Sequence, residues 1–552
     1  MPTTRSIEPR HPPPGGVARF VARLFTLVII VLPLLVVLYD SSRGLLAGSD
    51  AQSPAIPWVS PISLAKTVLW AGVIGSLAAA FGAPLAWCCR PSRSRWRWAL
   101  TLPMFVPSTL AYVGWGSLRA PLTPFAEWMA ARVEAGWIWL PSAFDGTLAV
   151  VGLGLWAAPL AALVQVAWLR GVDDDTLEAL RLDCGPVRRK VELARLSRAS
   201  LLSSAAIVGV LMIGSAVPLH LAQVPTAGVN LWAAMDVMPS QEHWRVWIAA
   251  WPLVLLAGAA AIAASRWVRA DRAGGSASVR CESSASILSR ILVVLILAAG
   301  VGAPIVLAAR GIRAPGEHPT WSKLGHEVVS AMDTWWRLNH HAVLASCAEA
   351  LVVALLTVVV GMAAWCGMAC LLRPRSRGAL GAFAFVGAAV LPGVMVGSAV
   401  ARLWNLTVIP AEWGETMGPL IAAHSARFGF VALLTAIIAA TAEPPTLGDS
   451  RLLDGADTPR GWFHACVPGW GPVWLIVGSL VAALSVQDIE AAVIVQPPGV
   501  PSLARKLLSD MHFFRTQELG VGMLVSVSIG LAFAAAGAVL WAGLRILRGR
   551  AG

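Results

Sequence analysis

Nucleotide hydrolysis needs a phosphate-cradling loop in which glycine precedes lysine and a serine or threonine follows. The 552-residue chain has four lysines, Lys66, Lys190, Lys323 and Lys506, and they follow Ala65, Arg189, Ser322 and Arg505. No such loop can form. Any ATP-driven step is therefore expected to belong to a partner, and the chain itself is expected to bind no cofactor and to be no enzyme. Metal sites need converging His, Cys, Asp or Glu. His340 and His341 are adjacent rather than spaced for one helical face, and Cys366 with Cys370 is a helical i, i+4 pair with no further ligand nearby. Both read as structural, and neither Gly-x-Ser-x-Gly nor His-Glu-x-x-His occurs.

What remains is a handful of ionisable groups inside apolar stretches, where charge is costly and its default reading is functional. Asp488 and Glu490 follow Gln487 in one such stretch, Glu349 lies in another, and His220 sits beside Val217, Pro218 and Leu219 in a third. Gln487, Asp488, Glu490 and His220 are candidates for a translocation path. An acid on a pore-facing helix could line a water-filled route or attract a cation. The competing reading is a hydrogen bond to a neighbouring helix, and for these groups both stay open.

The elements that would hold these groups follow from composition. Hydrophobic residues make up 57% of the chain and charged residues 13%, against about 25% charged in soluble domains. A water-facing surface of the required extent cannot be built, so the chain is expected to be an all-α membrane protein. Apolar stretches able to cross about 30 Å of hydrocarbon lie near 20–39, 62–88, 98–118, 146–169, 200–222 and 245–268. A second set lies near 286–308, 342–371, 379–403, 419–441, 472–496 and 520–544. Six and six suggest two modules of six spans, 20–275 and 276–552, after a tail at 1–19. Arg90-Pro91 and Arg373-Pro374, each followed by a proline-containing span with Pro107 or Pro392, fit a duplication. With the N-terminus inside, 28 of the 42 Lys and Arg fall on the inner side. The positive-inside rule then puts both termini in the cytoplasm. The net charge of +12 is thus expected to face anionic lipid headgroups rather than nucleic acid. The first span, with about 16 apolar residues after Arg23, is slightly long for a cleaved signal peptide and reads as retained.

Two long inner loops carry the clearest pattern. Residues 170–200 contain Leu182-Asp183-Cys184-Gly185, and residues 443–471 contain Leu453-Asp454-Gly455-Ala456. Each reads as a short helix, a glycine-assisted turn and a second helix lying on the cytoplasmic surface. The loops resemble the Glu-Ala-Ala, three residues, Gly signature of the permeases of binding-protein-dependent ABC importers. In the first loop Glu178 and Ala179 match, Leu180 stands for the second Ala, Cys184 after Asp183 takes the signature glycine position with Gly185 next, and Ser197 stands where a proline is expected. In the second, Asp449, Ser450 and Arg451 replace Glu-Ala-Ala, while Gly455 and Ala456 fit after Asp454, with Pro468 thirteen residues beyond Gly455. The segment 484–529, with Gln496-Pro497-Pro498-Gly499, Leu503 and His512, is similar to fused two-module permeases of the ferric-iron, thiamine and phosphonate type.

This resemblance implies a type I ABC importer transmembrane fold of about 12 helices in the bacterial inner membrane. It implies two copies of a cytoplasmic ABC ATPase, which bind the ATP, docked on the two loops, and a periplasmic solute-binding protein delivering ferric iron or a thiamine- or phosphonate-like solute. The rivals are a twelve-span secondary transporter, which predicts a proton relay and an acidic residue in the loop at 89–98, where there is none, and a transferase or flippase for lipid-linked substrates.

Overall fold

The computed structural model describes residues 16–46, 60–90, 100–119, 123–169, 174–215, 217–238, 242–270, 287–312, 321–369, 391–406, 409–442, 450, 459–513 and 515–549. Among them every regular element is a helix. The first half contributes α1 (Gly16–Thr26), α2 (Leu32–Leu46), α3 (Pro61–Cys89), α4 (Ser108–Gly116), α5 (Pro124–Glu134), α6 (Leu140–Leu169), α7 (Asp174–Asp183), α8 (Pro186–Leu196), α9 (Arg198–Ile213), α10 (Val217–Leu221), α11 (Ala227–Val237) and α12 (His243–Ala270). The second contributes α13 (Ile287–Leu297), α14 (Ala303–Gly311), α15 (Trp321–Ala369), α16 (Gly393–Trp404), α17 (Gly418–Ala442), α18 (Pro459–Gln487), α19 (Glu490–Val495), α20 (Leu503–His512) and α21 (Thr516–Gly549).

Eight helical stretches are long and apolar enough to cross a bilayer: Phe20–Arg43, Pro61–Cys89, Leu140–Val166, Ile287–Gly311, Lys323–Cys366, Gly418–Ala436, Gly469–Gln487 and Thr516–Leu544. The chain is a multi-pass, all-helical membrane protein. The other expected spans take different forms. The stretch at 98–118 breaks at Pro107, which caps α4. Arg198–Ile213 and Gly393–Trp404 are short apolar helices, residues 379–390 of the expected span 379–403 lying outside the described residues, whereas the expected span 245–268 is one continuous helix, the 28-residue α12, with Pro252 in its interior. The stretch before the expected span at 342 is also helical. With no proline from Trp321 to Ala369, α15 runs unbroken for 49 residues, about 73 Å at 1.5 Å per residue.

Several local features recur in the two halves. A π turn at Leu27–Val31 joins α1 to α2, and another at Ala298–Gly302 joins α13 to α14. Pro33 and Pro304, 271 positions apart, follow them. Proline lacks the N–H that would bond the carbonyl four residues back, and a π turn re-registers the ladder there. The Leu32 N–H accordingly donates to Leu27 O, and that of Ala303 to Ala298 O. Pro107 and Pro392 precede α4 and α16 in matching extended conformations, ψ 134° and 137°. Thr226 and Ser502 cap α11 and α20 through their hydroxyls. The next amides donate to helix hydroxyls in the same way, Ala227 N to Thr67 Oγ1 at 2.8 Å and Leu503 N to Ser346 Oγ at 3.1 Å.

The halves interlock rather than sit side by side. α1 and α2 pack on α15 and α16, with Ile30, Leu391, Val396 and Ala426 in one buried cluster and Asp40 paired with Arg402. Conversely α13 and α14 pack on α3 and α4. Small residues permit this approach, as is usual where helices associate in lipid. A Cβ on Gly114 would stand 2.4 Å from the Pro304 backbone, and one on Gly530 of α21 would stand 2.2 Å from Phe105 O.

The turn between α7 and α8 departs from the glycine-assisted, left-handed form expected of it. Gly185 has φ −61° and ψ 164°, because the residue before a proline is pushed to extended backbone and Pro186 follows. Gly185 caps α8, and a Cβ there would meet nothing within 4 Å. Gly185→Ser should therefore leave the melting temperature of the purified protein unchanged or slightly raised, since serine caps helices better. A left-handed glycine would instead lose about 1 kcal/mol.

Candidate functional site

The acids flagged inside apolar stretches converge at a break in the helix that carries two of them. α18 ends at Gln487, Asp488 and Ile489 are non-helical, and α19 resumes at Glu490. α15 brings Glu349 and α17 brings His424 and Arg427. The His424 Nδ1 lies 2.7 Å from Glu349 Oε1, and its Nε2 lies 3.6 Å from Asp488 Oδ2. Arg427 donates from Nη1 to Asp488 Oδ1 at 2.6 Å and from Nη2 to Glu490 Oε2 at 2.8 Å. All five groups are buried or nearly so: the side chains of Glu349 and His424 are 2% exposed, that of Asp488 3%, that of Glu490 5% and that of Arg427 15%.

Glu490 ties this cluster to both halves. Its Oε1 accepts the Val217 N–H at 3.1 Å and its Oε2 the Gly393 N–H at 2.9 Å. These amides open α10 and α16 and lack a partner within their own helices. A carboxylate at the start of the 12-residue α16 is also placed favourably against the helix dipole. The first-half break at 98–118 is satisfied similarly: Phe105 O accepts from Gln487 Nε2 and Val106 O from Trp156 Nε1, at 2.9 and 2.8 Å.

His220 stands apart. It lies exposed on α10 with its ring tilted against Trp232 at 5.3 Å. His340 and His341 stack at 3.9 Å along α15, Cys366 is buried there, and Cys370 lies outside the described residues. Among the described residues no group of three or more His, Cys, Asp or Glu has metal-binding geometry. In the Gln496-Pro497-Pro498-Gly499 turn, Gly499 takes φ +80°. Gln496 ties the turn down through Val500 O and Ser502 Oγ, and Leu503 is fully buried while His512 is exposed. A cleft of about 830 Å³ between α15 and the start of α21 is lined by Trp335, Lys506, Arg515 and Glu518, among others. Beside it burial pushes the Asp510 carboxyl above the usual carboxylate range, although Lys506 donates to it at 2.8 Å.

At another surface α7 and α8 form a helical pair. Glu178, Ala179, Asp183 and Gly185 are all exposed on it, and so are Leu182 (82%), Val191 (47%) and Leu196 (39%). In the second loop Asp449, Asp454, Gly455 and Ala456 lie outside the described residues.

Sequence reasoning missed His424 and Arg427. Arg427 is the one basic residue in the apolar stretch 419–441, with His424 one turn before it. The rule that flags an acid in a span flags a base equally. No family model, curated protein or solved structure matches the chain.

Proposed function

We propose that the chain is the transmembrane permease subunit of an ATP-binding-cassette importer, made of two fused six-helix modules with the translocation path between them. The observation that carries this reading is the α7–α8 pair, a helical hairpin whose Leu182 is 82% exposed at the end of α7. A leucine held in water at the tip of a surface element is suited to a partner's groove. The recurring π turns 271 positions apart, the matched Pro107 and Pro392 caps and the paired Thr67 and Ser346 contacts support a duplication. The basic split supports cytoplasmic termini in a bacterial inner membrane. Two ATPase copies would dock on the loops around Glu178 and Asp454 and drive the path between inward- and outward-facing forms. A periplasmic binding protein would deliver the solute, of ferric-iron, thiamine or phosphonate type, to the outer loops.

Leu182→Glu tests this. Uptake should fall at least about tenfold and the ATPase should be lost on extraction, while melting of the isolated permease stays within about 0.5 kcal/mol of wild type. Full uptake with the ATPase retained would reduce the hairpin to a solvated connector.

The buried Glu349–His424–Asp488 array favours a second reading, a twelve-span secondary transporter driven by protons. Vesicles separate the two: an importer needs ATP and its ATPase, whereas the transporter runs on an imposed pH gradient alone.

A further inference from the structure

The His424 ring and the Asp488 carboxylate face each other through two atoms that are both acceptors when the groups carry no extra proton. His424 Nε2 and Asp488 Oδ2 are 3.6 Å apart, and neither has a hydrogen-bond donor among the described residues. The other sides are committed: His424 Nδ1 to Glu349, and Asp488 Oδ1 to Arg427 and the Glu490 N–H. Two lone pairs pointed at each other in a site only 2–3% exposed would repel in a low dielectric. The charge count agrees. Among the described residues, three carboxylates, Glu349, Asp488 and Glu490, share one permanent cation, Arg427, an excess of two negative charges within this group that is costly to bury. One added proton halves that excess and supplies the missing donor.

We propose that His424 Nε2 and Asp488 Oδ2 form a proton-binding site, and that the proton held there locks the two halves of the chain together. The proton forms an N–H or O–H bond on one of the two atoms and is hydrogen-bonded to the other; nothing else is made or broken. Its presence leaves Arg427 free to brace Asp488 and Glu490 together, and Glu490 in turn holds the first amides of α10 and α16. With the proton gone, Asp488 and His424 separate, Arg427 is drawn toward the uncompensated carboxylate, and the hold on Val217 and Gly393 loosens. The groups facing His424 are Glu349 from α15, Asp488 and Glu490 from the α18–α19 break, and Arg427 on its own helix. α16 presents one charged side chain, Arg402, which is paired with Asp40, and the π turn Leu27–Val31 presents none. The proposal stands whether the chain works with an ATPase or on a proton gradient.

Asp488→Asn mimics the occupied site. Its Oδ1 still accepts from Arg427 and the Glu490 N–H, and its Nδ2 donates permanently to a neutral His424. In detergent, the full-length wild-type chain should lose melting temperature as pH rises from 6 to 10.5. The Asp488→Asn chain should lose less, by about 3 °C or more, since titration of other groups is common to both. Parallel profiles, or a flat wild-type profile, would overturn the proposal. A second reading uses wild type alone, should the variant fold poorly. Amide exchange of peptides covering Val217 and Gly393, corrected for the intrinsic rate, should quicken about tenfold between pH 6 and pH 10. Unchanged protection of these peptides would equally sink the lock.

Discussion

Arg427→Met should remove most of the folded protein from the membrane fraction and lower the melting temperature of what remains more than any other single change in the junction. Among the described residues Arg427 is the cation braced against both Asp488, at 2.6 Å, and Glu490, at 2.8 Å, with its side chain only 15% exposed. Methionine fills similar volume but leaves two carboxylates facing each other out of water. Breaking a buried pair from one side costs about 3–5 kcal/mol, a large share of a total stability of about 5–15 kcal/mol. Adding Glu490→Gln should recover part of the loss, because the neutral amide no longer needs the cation and its oxygen can still accept the Gly393 N–H. A double-mutant cycle measures that coupling. Arg337→Met is the control. Arg337 pairs with Asp333 at 2.8 Å, but the two side chains are 77% and 55% exposed. A surface pair of this kind contributes about 0–1 kcal/mol, so steady-state level and melting should stay near wild type. Equal losses for the two variants would mean the junction is wetter or less strained than its burial implies.

The class of the protein was legible because it follows from bulk composition: a chain with 13% charged residues must bury itself in lipid. The acids at 349, 488 and 490 were legible for the same reason, since a charge in an apolar run stands out against its neighbours. What they touch was not. Whether Asp488 meets water or a guanidinium depends on how α17 lies against the α18–α19 break, a long-range packing fact that no local spacing encodes. The π turns are a middle case. Pro33 and Pro304 announce a broken ladder, but whether the helix kinks, stops or re-registers is decided by what packs beside it. The interlocking of the halves was invisible for a related reason: the stretches Phe20–Arg43 and Ile287–Gly311 are apolar along most of their length, so sequence alone does not say which neighbour they choose. Gly185 shows a local rule beaten by another local rule, the proline after it overriding the glycine's tendency to end a helix left-handed.

The same substitution made three residues apart on α3 should have opposite signs. Gly75 lies where α3 crosses α9, and a Cβ built on it would stand 2.3 Å from Ala205 O and 2.9 Å from Gly209 N. Both are backbone atoms that no side-chain rotation can move away. Gly75→Ala must therefore push two core helices apart, an overpacking cost of about 1–3 kcal/mol, and it strains the neighbouring contacts of Ile74 and Ala78, both fully buried. Gly75→Leu should abolish folded accumulation. Gly72 is exposed, and a Cβ on it would meet nothing within 4 Å. Gly72→Ala should instead stabilise the helix by up to about 1 kcal/mol, and Gly72→Leu should be tolerated because the side chain points away from protein. Melting of the four purified variants in one detergent checks the contrast, with membrane levels to catch those that never fold. If Gly75→Ala melted with or above wild type, α3 and α9 would have room to separate, and the close crossing that holds this half of the bundle would carry little of its stability.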